Sequence, residues 1–377
     1  MSSVLVAGCG SSSSSSSSTS TDASSAASSA ASSAVSSSSE ATAVASSSSE
    51  ATASTTEIAD DAIVLRIGSG TGGKDKQVAW MEEFEIELEA ATNGAIDVQC
   101  YPAGQLGTMA EMVQGVVDGS LDAACFPTNY FSTVFSGAAC IDLPYMFPGG
   151  GVQLQNILMT QDTEYEQGYI DHGVIPVTWL LVPDRTIIST EKIESLADMK
   201  NKIIWTTPSS VLIKEIEMLG AVSSTINVGE LAPSLQNGTV EGAATDITLY
   251  FSQSLQTSGG NYLLEAPGDA MISIFGISQV WWDNCPDDLK EIVSQVANDS
   301  VTNFEVDYVK NQVSNAYTQM QADGMEVVEP SEEFQAEISD ALSGMADWFL
   351  ETYPDAEPYY TDMLERIAAD TNTYERF

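Results

Sequence analysis

From Ala62 to Phe126 the spacing of apolar residues changes period four times, and this alternation narrows the folds open to the chain. Ala62-Ile63-Val64-Leu65-Arg66-Ile67 is an apolar run of strand length, ended by a glycine-rich loop. Val78, Met81, Phe84, Leu88 and Ala91 then recur near one face of a helix that Gly94 stops. Ile96 to Tyr101 reads as a second strand, closed by Pro102-Ala103-Gly104. A second helix opens on the capping box Thr108-Met-Ala-Glu111, buries Met112, Val113, Val116 and Val117, and ends at Gly119. Leu121 to Phe126 is a third strand. Strands separated by single helices must pair in parallel through crossovers, so the spacing predicts an α/β protein.

Composition bounds what such a protein can do. The chain carries 54 acidic and 12 basic residues, a formal charge of -42. That surface repels phosphate backbones and anionic headgroups, which argues against nucleic acid or a polybasic membrane contact as partner. No apolar run approaches the ~18 residues of a spanning helix. The composition also breaks near residue 57. Between Ser11 and Thr56, 41 of 46 residues are Ser, Thr or Ala, too little apolar surface to offset the entropy of ordering. Residues 10–60 are therefore expected to be a disordered tether. Only five acids and no bases lie in the first 60 residues, so -37 belongs to the remaining 317.

Several chemistries are weak on residue type alone. Gly68-Ser-Gly70-Thr-Gly72-Gly73 follows a strand and precedes a helix, the setting of a dinucleotide fingerprint. The second strand, however, ends in Cys100-Tyr101-Pro102, without the acid that holds ribose hydroxyls, so an NAD- or flavin-dependent oxidoreductase is the alternative reading and no cofactor is expected. There is no nucleophile elbow, and His172, the one histidine, falls in an expected surface turn. Cys100, Cys125, Cys140 and Cys285 lack metal or redox spacing; export would permit a disulfide without choosing its partners. No calcium loop is present, and no metal site is expected. Arg185, just past an apolar strand, is either paired with a carboxylate such as Asp184 or kept for an anionic ligand.

Two resemblances go further. Val6-Ala7-Gly8-Cys9 resembles a bacterial lipobox, with residues 1–9 the remnant of a lipoprotein signal. It implies export and a lipid anchor on Cys9 at the outer face of the cytoplasmic membrane, or in the periplasm. The globular segments, in order, resemble the DctP-type solute-binding proteins of tripartite ATP-independent periplasmic (TRAP) transporters. The resemblance is carried by Tyr101-Pro-Ala-Gly-Gln-Leu-Gly107, Val116-Val-Asp-Gly-Ser-Leu-Asp122, Asp142-Leu-Pro-Tyr-Met-Phe147 and Ser195-Leu-Ala-Asp-Met-Lys200. Leu219-Gly-Ala221, Gly229-Glu230-Leu231 and Leu235-Gln-Asn-Gly-Thr-Val-Glu-Gly242 continue it, and Trp282 to Lys290 resembles the start of the family's long domain-spanning helix.

The resemblance implies a two-domain, Venus-flytrap-like fold of mostly parallel sheets flanked by helices. Residues 61–182 plus 272–311 would form one domain, and 183–271 plus 312–377 the other. It implies no enzyme but a receptor that closes on a small organic acid, by hinges near Leu181–Pro183, Met271–Ile277 and the helix of about 286–322, and delivers the acid to membrane permease subunits. Arg185 matches a family arginine that lines the cleft. Trp205 stands where the family's carboxylate-clamping arginine is expected, offering an indole N–H and a stacking face but no charge. That substitution points to a weakly charged or aromatic acid, or to a scaffold on the same fold without a ligand. Gly70, Thr71, Thr108, Thr128 and Tyr130 are the remaining expected contacts from the first domain. From the second domain they are Pro208, Val228, Thr245 and Asp246, with a helix cap as the alternative role of Asp246.

Overall fold

The computed structural model describes residues 56–377 apart from Lys74, Gln161, Glu375 and Phe377; Cys9 and most of the tether lie outside the described residues. Two sheets organise it. Strands β1 (Ile63–Ser69), β2 (Ile96–Tyr101) and β3 (Ala123–Pro127) occur where the apolar pattern places them, and the crossover helices are Lys76–Ala91 and Met109–Asp118. β1 pairs in parallel with both neighbours, setting Leu65 beside Val98 and Ile67 beside Ala123. The Thr108–Glu111 capping box forms as expected. Val78, Met81, Phe84 and Leu88 are buried, whereas Ala91, at the frayed last turn, is exposed.

After β4 (Val174–Val182) the chain enters the second sheet through β5 (Thr186–Ser189), β6 (Ile203–Trp205), β7 (Val222–Ser224), β8 (Gly242–Thr245) and β9 (Tyr262–Leu264). It returns through β10 (Met271–Ser278) and later adds β11 (Glu326–Val328) to the second sheet. The sheet orders are β2-β1-β3-β10-β4 and β11-β9-β5-β8-β6-β7.

The sheets are mostly parallel, as expected, with one reversed strand in each. β10 runs antiparallel to β3 and β4, and β5 runs antiparallel to β8 and β9. These are the strands that follow the two passages between the sheets, at 183–185 and 265–270. A chain leaving one sheet at the carboxyl end of a strand arrives at the carboxyl edge of the next, and can only run into it backwards. The second passage precedes the 271–277 stretch expected to bend, which lies inside β10. The passages are tied together: the Arg185 N–H donates to the Asp269 carbonyl at 2.9 Å and the Gly268 N–H to the Arg185 carbonyl at 3.0 Å.

One helix, Asp287–Ala322, serves both cores over its 36 residues. Val293, Ala297 and Val301 pack with Trp80, Phe84 and Phe275 beneath the first sheet. Val309, Val313, Ala316 and Met320 join Trp205, Ala243 and Leu263 beneath the second. This matches the expected domain-spanning helix. The four described cysteines are free. His172 lies in the expected turn between a helix and β4 and is half-buried there; its Nδ1 lies 2.7 Å from the Gly168 carbonyl and its ring stacks on Phe135.

The helix Gly150–Leu158 docks where the chain leaves and re-enters the first sheet, and does so through a bare backbone. A Cβ on Gly151 would lie 2.7 Å from the Val182 carbonyl oxygen and 3.0 Å from that of Met271. Backbone atoms cannot swing aside as a flexible side chain can. Gly151→Ala is therefore expected to cost about 1–3 kcal/mol, read as a lower urea midpoint. An unchanged midpoint would mean that the contact is not tight.

Candidate functional site

The strand directions bring the carboxyl ends of both sheets to one cavity, the place where open α/β sheets hold ligands. From the first sheet come Gly70 and Thr71 after β1, the first turn of the Lys76–Ala91 helix, and Pro127 and Tyr130 after β3. From the second come Trp205 and Thr207 at β6, Val228, and Thr245 and Asp246 after β8. The cavity is narrow, about 40 Å³.

Its polar wall is tightly cross-linked. Gln77 Nε2 donates to Ser273 Oγ at 2.7 Å, and Ser69 Oγ donates to Gln77 Oε1 at 3.3 Å while lying 3.1 Å from Thr71 Oγ1. Lys76 reaches across from the first sheet to the second: Nζ donates to Thr248 Oγ1 at 3.1 Å and lies 3.6 Å from Asp246 Oδ1. Asp246 caps the helix Ile247–Ser252, accepting the N–H groups of Thr248 at 3.0 Å and Leu249 at 3.1 Å, and Asp75 caps the helix that Lys76 begins. Burial pushes the Tyr130 hydroxyl up to about 12, so the phenol stays protonated and able to donate.

Seven expected residues meet here: Gly70, Thr71, Tyr130, Trp205, Val228, Thr245 and Asp246. Asp246 is both a cavity residue and a helix cap. The Trp205 indole N–H is not free for a ligand, because it donates to the Ile226 carbonyl at 2.7 Å; only the ring is offered. Four expected residues do not line the cavity. Thr108 is exposed and occupied with its capping box, its hydroxyl 2.8 Å from Glu111 Oε2. Thr128 is buried and donates to the Ile272 carbonyl at 3.2 Å. Pro208 gives its place to the preceding Thr207.

Arg185 is the main departure. It is 1% exposed and faces inward among Asp142, Glu215 and Asp269, all buried. Its Nη1 lies 3.8 Å from Glu215 Oε2, whereas Asp184, the partner suggested by adjacency, binds Arg376 Nε at 2.7 Å. Ser209 Oγ donates to Asp142 Oδ2 at 2.8 Å, and the Tyr145 N–H to Asp269 Oδ1 at 3.0 Å. Burial raises Asp142 to about 6 and Glu215 to about 8, the nearby guanidinium opposing but not cancelling that effect. Arg185 thus lies among acids at the passage between the sheets, outside the narrow cavity, with its Nε and Nη2 without hydrogen-bond partners.

The cation that is presented, Lys76, was hidden in Gly73-Lys74-Asp75-Lys76, which reads as a mere extension of the glycine loop. One signal marked it. A lysine in the first turn opposes the helix dipole, so its placement there needs another reason. A larger concavity, about 1000 Å³, opens beside Pro183, Glu265, Glu329 and Arg376. It is an open groove just past the ends of β4, β9 and β11, with Arg185 in its lining; the narrow cavity, which takes strand ends from both sheets, is the better candidate. Among the described residues no group of acids, cysteines and histidine is arranged to hold a metal, and no helix is long and apolar enough to cross a membrane.

Comparison with known proteins agrees with this architecture. A TRAP periplasmic solute-binding protein from Chromohalobacter salexigens, with bound D-glucuronate, superposes with a TM-score of 0.75 at 17% identity, over 80% of this chain and 99% of that one. One from Desulfovibrio salexigens, with bound orotic acid, gives 0.74 at 18% identity, over 81% and 99%. At these identities the likeness establishes the fold, two-domain and of the periplasmic-binding type. In sequence, the uncharacterized protein YiiZ of Salmonella typhimurium is 30% identical over 167 residues, 42% of this chain; the chain spans about half, 49%, of that relative's length. Residues 67–352 match the family of bacterial solute-binding receptors, which are not enzymes, and this removes the oxidoreductase reading of the glycine loop. The chain belongs to the bacterial extracellular solute-binding proteins of family 7, the DctP family.

Proposed function

We propose that this protein is the receptor of a TRAP-type uptake system, binding a small organic acid between its two sheets and delivering it to the membrane permease subunits. The observation that carries the reading is the convergence of both sheets' carboxyl ends on a cavity that holds, among the described residues, a single buried ammonium, Lys76. The acids bound by the fold neighbours, glucuronate and orotate among them, support it. The Trp205 and Tyr130 rings suit a planar or aromatic acid as well as a sugar acid.

A cavity of about 40 Å³ is far below the ~300–1,000 Å³ of a ligand site, so entry requires the sheets to part. The lobes that part are 61–182 with 272–311 and 183–271 with 312–377, hinged at the paired passages and along the shared helix. A lipid on Cys9 and the Ser/Ala tether would keep the receptor near its permease at the outer face of the membrane.

The test is a thermal-shift screen of the full chain with glucuronate, gulonate, orotate and other organic acids. At 100 times its Kd a ligand adds ~2.7 kcal/mol and raises Tm accordingly. Absence of a shift with every acid would refute the reading.

A further inference from the structure

We infer that Lys76 is the anion anchor of this cavity, that Asp75 and Asp246 hold the ligand to one negative charge, and that Thr207 takes its hydroxyl or carbonyl oxygen. The ligand class is then a hydroxylated monocarboxylate. This rests on the acid-receptor reading above and sharpens it.

Among the described residues Lys76 is the one lysine or arginine lining the cavity, and it is 7% exposed. Helix stability does not explain a cation at the first position of a 16-residue helix, because its charge faces the positive end of the dipole. Its contacts instead lie 172 residues away in sequence, on the other sheet's side of the cavity. An ammonium has three donors. One goes to Thr248, and Asp246 at 3.6 Å supplies charge without a short hydrogen bond. Nζ therefore keeps donor capacity toward the cavity. The other nearby donors are placed otherwise: the Trp205 N–H donates to the Ile226 carbonyl, and Arg185 lies outside this cavity beside Glu215.

The same wall carries two carboxylates, Asp75 at 3% and Asp246 at 4% exposure. Among the described residues this wall sets one ammonium against two carboxylates, so an incoming carboxylate competes with Asp246 for Lys76, and a second negative charge would meet Asp75 or Asp246 in a poorly hydrated space with no described cation to receive it. Neutral polar groups are received instead. Thr207 is 4% exposed, lines the cavity, and its Oγ1 has no hydrogen-bond partner within the protein. A buried hydroxyl left so is rare in native proteins, and a ligand hydroxyl or carbonyl would complete it.

The experiment is calorimetric titration of the full chain with matched acids: gluconate and glucuronate as hydroxylated monocarboxylates, glucarate as the dicarboxylate, and sorbitol as the neutral polyol. The monocarboxylates are expected to bind, glucarate about tenfold or more weaker, and sorbitol not measurably. Lys76→Met should weaken monocarboxylate binding about ten- to hundredfold. Asp246→Asn should narrow the gap between glucarate and gluconate, and Thr207→Val should weaken gluconate while sparing an unhydroxylated acid of equal length. Circular dichroism of each variant separates lost binding from lost folding. If glucarate binds as well as gluconate, or Lys76→Met binds as wild type, this inference falls and the receptor reading stands. If no organic acid binds at all, both fall.

Discussion

Arg185→Met should unfold at a far lower urea concentration than the wild type, with a loss of about 3–5 kcal/mol at pH 8 that shrinks toward pH 5. Arg185 is the single cation among Asp142, Glu215 and Asp269, and all four groups are nearly inaccessible to water. Removing it leaves buried carboxylates whose desolvation is offset only by the Ser209 hydroxyl, the Tyr145 N–H and the charge of Arg376, and the remedy open to them is to take up protons. The pH dependence follows from the direction of the shifts. Glu215 is raised to about 8, and Asp142 and Asp269 to about 6, chiefly by burial. Groups whose folded pKa lies above the unfolded value favour the fold at low pH, and that contribution is lost as pH rises through the folded pKa. In the wild type the loss runs from about pH 4, the ordinary carboxyl value, to about pH 8. Without the guanidinium the three pKa values rise further, so more stability is lost over a wider window. Urea unfolding at pH 5, 6.5 and 8 reads this directly. A ligand clamp would behave in the opposite way, losing acid binding at unchanged stability, and that result would show Arg185 to face the cavity after all.

Trp205→Ala is expected to cost about 3–5 kcal/mol, the range for truncating a buried tryptophan. The side chain is 1% exposed and packs with Leu231, Ala243 and Tyr250 while its far side walls the cavity. Trp205→Phe separates the two contributions. It keeps most of the apolar contact but leaves the Ile226 carbonyl without its donor, a loss of about 1–3 kcal/mol. Thermal or urea unfolding of both variants, beside their acid affinities, checks the assignment. If Trp205→Ala kept wild-type stability and lost only binding, the indole would be a ligand platform and not a core residue.

Both positions show where the sequence ran out. At Trp205 the residue type was read correctly as an aromatic without charge, yet nothing local revealed that Ile226 would take its N–H. At Arg185 the neighbouring Asp184 looked like the natural partner, but its carboxylate is taken by Arg376 and the Gly151 N–H. The glycine loop was legible as a cavity-lining turn through Gly70 and Thr71, and the Asp75–Lys76 pair just beyond it was not. The mostly parallel expectation holds, and the single reversed strand of each sheet, β10 and β5, was not legible because strand direction is fixed by which edge of a sheet the chain reaches, and a single strand's composition carries no trace of that.

What the sequence determined by itself is what short-range physics determines. The period of the apolar residues placed β1 to β3 and their helices, the Thr108–Glu111 pair capped its helix, and the order of motifs from Tyr101 to Lys290 placed the chain in its family. These depend on groups a few residues apart, whose geometry is set once a helix or strand forms. Only the tertiary structure decided which charges meet. Asp142, Glu215 and Asp269 close on Arg185 from separate segments, and Lys76 finds Thr248 and Asp246 on the far side of the cavity. Side chains so distant along the chain come together through packing of the whole body. Desolvation at the point of meeting then makes one cation a structural pin and leaves the other for a ligand.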